Sequence, residues 1–139
     1  MSYQSVINLL GLKMLTRTPL ELVNVARNGI PRKAIDALAK KLNMPVANLT
    51  KYLHVSERTL HRYAPEKILS SDLSDRVLQI AKVYTRCIEI FEDTNNAADW
   101  LKQPSITFGN IPPIELLDTS TGIEMVFDEL TRIEYGVGS

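Results

Sequence analysis

P-V-A-N-L-T-K-Y-L-H-V-S-E-R-T-L-H-R-Y, residues 45–63, reads as helix, turn and helix. Pro45 can open a short helix through Leu53, because Val46, Leu49 and Leu53 recur at helical spacing and face one side. His54-Val55 then makes a tight turn, and Ser56 is an N-cap for a second helix from Glu57 to about Tyr63. The apolar face of that second helix is reduced to Leu60 and Tyr63, and its other face is polar and basic. This is the length and order of the helix-turn-helix unit, whose second helix lies in the major groove with its first residues near the base edges. The plainer alternative is a helical hairpin with a solvated basic face.

The candidate DNA-contacting residues are Ser56, Glu57, Arg58, Thr59, His61 and Arg62. Arginine can pair two donors with the acceptors of guanine. Ser56 and Thr59, at the helix entrance, can hold a phosphate through hydroxyl and backbone N–H groups. Glu57 has two readings: it accepts from a cytosine amino group, or it favours the helix N-terminus electrostatically.

Outward from this stretch, the signals are helical throughout, and no segment shows the sustained alternation of a half-buried strand. An all-α chain is expected. Residues 3–12 suit either a short helix or an extended arm. Thr18-Pro19-Leu20-Glu21 combines a capping threonine, a proline at the first helical position and a glutamate placed to return a hydrogen bond. That predicts a helix to Asn28, closed by Gly29 in a left-handed conformation, with Pro31 starting the next one and Asn43 ending it. Ser71 and Asp72 start the longest helix, whose stripe of Leu73, Val77, Ile80, Ala81, Tyr84, Cys87, Ile88 and Phe91 runs to about Glu92. Asn95 or Asn96 caps a short helix stopped by Pro104; residues 105–111 form a loop; Pro112 and Pro113 begin a helical turn; Thr119 or Ser120 caps a last helix bearing Ile123, Val126, Phe127, Leu130 and Ile133.

Charge divides the chain in two. Residues 1–67 hold 11 Lys+Arg against 4 Asp+Glu, a net +7, and residues 68–139 hold 5 against 12, a net −7. Basic surface gains affinity for nucleic acid by releasing counterions from the phosphates, and acidic surface repels the same polymer. We therefore expect a helical N-terminal region over 1–67 with the DNA-binding motif at about 45–63. Residues 68–139 should supply a long linking and dimerisation helix and a second functional region. Helix-turn-helix proteins commonly read inverted repeats as two-fold dimers, and the wide stripe of the long helix is the leading candidate surface.

An enzyme is hard to build from these residues. His54 and His61 stand seven apart with no cysteine near them, Cys87 sits on an apolar stripe, and Gly109 and Gly122 form no phosphate loop. No metal, cofactor or catalytic residue is expected. The lone cysteine excludes an intramolecular disulfide, and no run approaches the ~20 apolar residues of a membrane span. A cytoplasmic location is the expectation.

A-A-D-W-L-K-Q-P (97–104), F-G-N-I-P-P-I-E-L-L-D-T-S-T-G-I-E (108–124) and L-T-R-I-E-Y-G-V (130–137) together resemble the toxin-binding domain of the Xre/MbcA/ParS antitoxins. S-E-R-T-L-H-R-Y (56–63) and S-D-L-S-D-R (71–76) are similar to that family's helix-turn-helix and linking helix. The first 28 residues match least well. The resemblance implies a bacterial antitoxin that neutralises a RES-type enzyme, one that consumes NAD or transfers ADP-ribose from it, and that represses its own operon through operator DNA. It implies that the C-terminal domain covers the toxin's active-site cleft, which falls here on Arg132, Glu134, Tyr135, Gly136, Val137, Gly138 and Ser139.

Physical arguments agree with that implication. A cleft for a dinucleotide pyrophosphate is electropositive, so Glu124, Asp128, Glu129 and Glu134 would steer toward it. Tyr135 is a large amphipathic anchor, and the following glycines fit a narrow cleft. The bland alternative packs Ile133 and Tyr135 at home and solvates the acids, while Trp100, Leu101, Leu116 and Leu117 belong to the core. The rival function is a stand-alone transcription regulator without a toxin partner.

Overall fold

The computed structural model describes residues 2–136. It is all-helical: α1 Tyr3–Leu9, α2 Pro19–Asn28, α3 Lys33–Lys41, α4 Val46–Leu53, α5 Glu57–His61, α6 Ser71–Phe91, α7 Thr94–Lys102 and α8 Ser120–Glu134, with 3-10 turns at Ile106–Phe108 and Pro113–Leu116. None of these helices is long and apolar enough to cross a membrane.

The N-terminal ambiguity resolves as a helix. Val6, Ile7 and Leu10 of the α1 region are fully buried, and α1 packs on α3 and α6. The Thr18 signal is realised in full: its hydroxyl accepts from the Glu21 N–H at 3.1 Å and the Glu21 carboxylate accepts from the Thr18 N–H at 3.2 Å. Gly29 closes α2 at φ +86°, and a Cβ there would lie 2.4 Å from the Leu69 carbonyl oxygen.

Two local expectations are corrected. Pro31 does not start a helix; α3 begins at Lys33, because Pro31 pairs with Ile68 as a short antiparallel bridge, and the Arg32 N–H donates to the Lys67 carbonyl at 2.8 Å. The Ile30 N–H donates to the Ser74 hydroxyl at 2.9 Å. Those bonds satisfy an extended segment that would otherwise bury unpaired backbone groups. The cap of α7 is Asp93, whose carboxylate accepts from the Asn95 and Asn96 N–H groups, so the two asparagines are capped residues.

The long helix is the spine. It packs against α1, α2, α3, α4, α7 and α8, and Val77, Ile80, Ala81, Val83, Tyr84 and Cys87 are essentially inaccessible. Its stripe is wide because helices of the same chain cover it, and no large apolar side chain of α6 is exposed. The Tyr84 hydroxyl lies 2.8 Å from the Lys41 carbonyl and 2.9 Å from the Thr94 carbonyl, sharing its proton between the end of α3 and the start of α7. Burial pushes that phenol up to about 12 and the Cys87 thiol likewise to about 12, so both stay protonated at neutral pH.

At the far end, Leu101, Leu117, Val126 and Leu130 are buried, and Phe91 meets Trp100 with ring centroids 5.6 Å apart. Trp100 and Leu116 pack against this core only partly buried. Gly122, in the first turn of α8, is what lets α8 approach the Pro113–Leu116 turn. A Cβ on it would fall 1.8 Å from the Leu116 carbonyl oxygen and 2.7 Å from its carbon. Both obstacles are backbone, so Gly122→Ala must push the two elements apart. We expect it to cost about 3 kcal/mol and to lower Tm by roughly 10 °C in calorimetry. An unchanged Tm would show that the contact yields cheaply.

Candidate functional site

The helix-turn-helix is built by α4, a turn at His54 and α5. His54 closes α4 in the left-handed conformation, φ +57°, which brings Ser56 round to cap the next helix. Leu49, Leu53 and Leu60 are buried and seat the two helices on each other. α5 is shorter than its sequence suggests and ends at His61. Its last turn tightens, with the Arg62 N–H donating to the Thr59 carbonyl and the Tyr63 N–H to the Leu60 carbonyl.

Of the six residues expected at the DNA interface, Arg58 and Arg62 are exposed and make no ion pair or hydrogen bond through their side chains among the described residues. Both guanidinium groups keep their donors for an external acceptor. His61 and Glu57 are exposed too, but they face each other, Nε2 to Oε1 at 3.2 Å. Ser56 and Thr59 are mutually engaged: the Ser56 hydroxyl donates to Thr59 Oγ1 at 2.8 Å and accepts from the Thr59 N–H at 3.0 Å. Their first task is capping.

Sequence reading missed Arg32. Its Nη1 donates to the Tyr63 carbonyl at 3.3 Å, and Nη2 lies 3.5 Å from Asp36. It positions the end of α5 from α3. No local pattern encodes that contact. Lys67 Nζ lies 5.8 Å from the centre of the Tyr63 ring.

The second set of residues gathers at the end of α8. Tyr135 is the C-cap and is 73% exposed; Gly136 follows at φ +71°. Val137, Gly138 and Ser139 lie outside the described residues. Glu134, itself exposed, reaches across to α6, its two oxygens accepting from Nη1 of Arg86 at 3.0 Å and from Nη2 at 2.5 Å. Arg132 donates to Glu129 at 3.1 Å, and Glu129 also accepts from the Thr107 hydroxyl at 3.0 Å. Two of the four acids expected to steer a partner, Glu129 and Glu134, are thus held within the chain. Glu124 and Asp128 remain exposed.

Arg86 belongs to α6, so the Arg86–Glu134 fork locks the last turn of α8 to the spine. The hydrogen bonds from Arg86 hold the Glu134 carboxyl below its usual range. A native pKa lowered in this way stabilises the contact above the unfolded-state value and loses that stabilisation as pH falls through the native value. Amide protection in the last turn of α8 should therefore be flat above about pH 5 and should drop at lower pH. Hydrogen exchange of Glu134→Gln should show weaker protection with no such pH step. A step of the same size in the variant would assign the effect to another group.

A short helix pair with two unpaired arginines, followed by a small helical domain locked to a common spine, defines a helix-turn-helix protein with an appended second domain. The family models agree on both parts. Residues 21–82 match the antitoxin Xre-like helix-turn-helix domain, and residues 88–136 match the antitoxin Xre/MbcA/ParS C-terminal toxin-binding domain. This chain belongs to the Xre/MbcA/ParS family of antitoxins.

Three relatives extend the match along most of the chain. It is 25% identical to the antitoxin Xre of Photorhabdus laumondii over 117 residues, 83% of this chain and 79% of that one. It is 27% identical to the antitoxin Xre of Yersinia enterocolitica over 120 residues, 85% and 81% of the two chains. It is 25% identical to the Prs ADP-ribosylating antitoxin of a Sphingobium species over 129 residues, 86% and 81%.

Proposed function

We propose that this chain neutralises a RES-type toxin, an enzyme that consumes NAD or transfers ADP-ribose from it. It does so by laying the end of α8 and the segment that follows across the toxin's active-site cleft, with no catalysis of its own. The observation that carries this reading is Tyr135: a large amphipathic ring, 73% exposed, at the end of a helix fixed by Arg86–Glu134. A side chain presented from a rigid base loses little freedom on binding, which is how a few aromatic anchors come to dominate an interface. The name of the Sphingobium relative, which pairs ADP-ribosylation with an antitoxin, supports the chemistry assigned to the partner.

The same molecule represses its own operon, with Arg58 and Arg62 reading or gripping the operator. It does so as a homodimer. The long helix has no free apolar face, whereas Leu20 and Val23 stand exposed one turn apart on α2. Leu20→Lys with Val23→Lys should convert a dimeric mass to a monomeric one in light scattering. A dimer that survives both changes assembles elsewhere.

Coexpression with the product of the adjacent reading frame tests the main reading. The two proteins should copurify, and cellular NAD, depleted by the partner alone, should recover. A partner that neither copurifies nor loses activity would overturn it.

A further inference from the structure

We infer that the loop between Ser105 and Ile111 is a second contact element for the toxin, with Ile106 as its anchor. This inference rests on the function proposed above. Ile106 is 90% exposed, an unusual state for a β-branched apolar side chain in a hydrogen-bonded loop. The loop is closed on itself. Ser105 and Ile111 pair as an isolated bridge, the Asn110 N–H donates to the Ser105 carbonyl at 2.7 Å, and the Gly109 N–H donates to the Ile106 carbonyl at 3.1 Å. It therefore displays Ile106 from a fixed backbone.

The loop is also strapped to the helix that carries Tyr135. The Thr107 hydroxyl donates to Glu129, and Glu129 in turn holds Arg132. Arg132 and Tyr135 are neighbours at i,i+3 on α8, and Met125, also exposed, precedes Glu129 by one turn. Ile106, Ile111, Met125 and Tyr135 are all of the exposed large apolar side chains among the described residues beyond Ile68. Met125 and Tyr135 stand on α8 and at its C-cap, and Ile106 and Ile111 on the loop that the Thr107–Glu129 bond ties to that helix, all within the stretch matched by the toxin-binding domain.

A cluster of apolar anchors around satisfied polar groups is the make-up of an interface core. The occupant is the toxin rather than a second copy, because the strip runs into Tyr135 and lies in the domain whose model is named for toxin binding. Ile106 and Tyr135 then touch the toxin at two points, one beside the cleft and one across it.

The test uses the full chain and the NAD-consuming protein encoded beside it, with affinity read by titration. Ile106→Ala should weaken the complex by about tenfold, from the lost burial of an aliphatic side chain. Ile106→Asp should weaken it by roughly a hundredfold, from the added burial of a charge. Thermal stability and operator affinity should not change, because Ile106 makes little contact at home. If Ile106→Asp binds as tightly as the parent while a chain ending at Glu134 does not, this inference is overturned and the proposed function stands. If the parent chain fails to bind at all, both fall.

Discussion

Replacing Arg58 and Arg62 together with alanine lowers operator affinity by a factor of roughly 30 to 2 × 10⁴ if each guanidinium makes a bidentate pair of hydrogen bonds to a base, worth about 1–3 kcal/mol. If they grip phosphates instead, the loss is smaller and uniform across sequences, and the slope of log affinity against log salt shrinks by about two. Either outcome follows from their having no internal partner to fall back on. The fold should be untouched, since both side chains are exposed and Leu60 alone seats α5 in the core. Mobility-shift titrations at several salt concentrations distinguish the two modes. Unchanged affinity and an unchanged slope would move the contact to other basic groups, with Lys51 and Lys67 the next to examine.

Ending the chain at Glu134 abolishes neutralisation. The truncation removes Tyr135, whose loss alone is worth at least about 2 kcal/mol, or 30-fold, if it is a central anchor. It also removes every residue expected to enter the cleft beyond it. What remains should fold normally, because Glu134 keeps its fork to Arg86 and the core residues Val126 and Leu130 of α8 are untouched. Operator affinity should stay at the parent level. The measurement is growth and NAD content of cells expressing the toxin with either chain. Full rescue by the shortened chain would place the blocking surface elsewhere on the C-terminal domain.

The two predictions lie on parts of the molecule that differ in how far their sequences disclose them. The helix-turn-helix was legible because its signals are local: Ser56 before Glu57, a tight turn at His54-Val55, and leucines at 49, 53 and 60 with helical spacing. The same holds for Thr18 and Glu21, three positions apart. Contacts between distant residues left no such trace. Arg86 and Glu134 are 48 positions apart, and Arg32 and the Tyr63 carbonyl 31. Nothing in a window of one or two helical turns announces either, yet they fix the ends of the two helices that matter most. Pro31 failed as a helix start for the same reason, since its partner Ile68 lies beyond α5.

The breadth of the α6 stripe matches the helices α1, α2, α3, α4, α7 and α8 that pack on it within the chain. A face that must meet helices from both directions of the chain looks, in sequence, the same as one reserved for a second molecule. Gly122 illustrates a further limit. A glycine in the first turn of a helix carries no visible purpose until the carbonyl of Leu116 is found where its side chain would be. Exposed apolar side chains such as Ile106 are equally silent, because composition does not say which isoleucine escapes the core.

The central claim is that one chain holds DNA and toxin at the same time, on separate surfaces. A mobility-shift titration of its own promoter fragment, with the adjacent gene's product added in equal amount, tests it. A slower band containing DNA, this chain and the toxin is the predicted result. Release of the DNA on adding toxin, or a promoter fragment that never shifts, would contradict it.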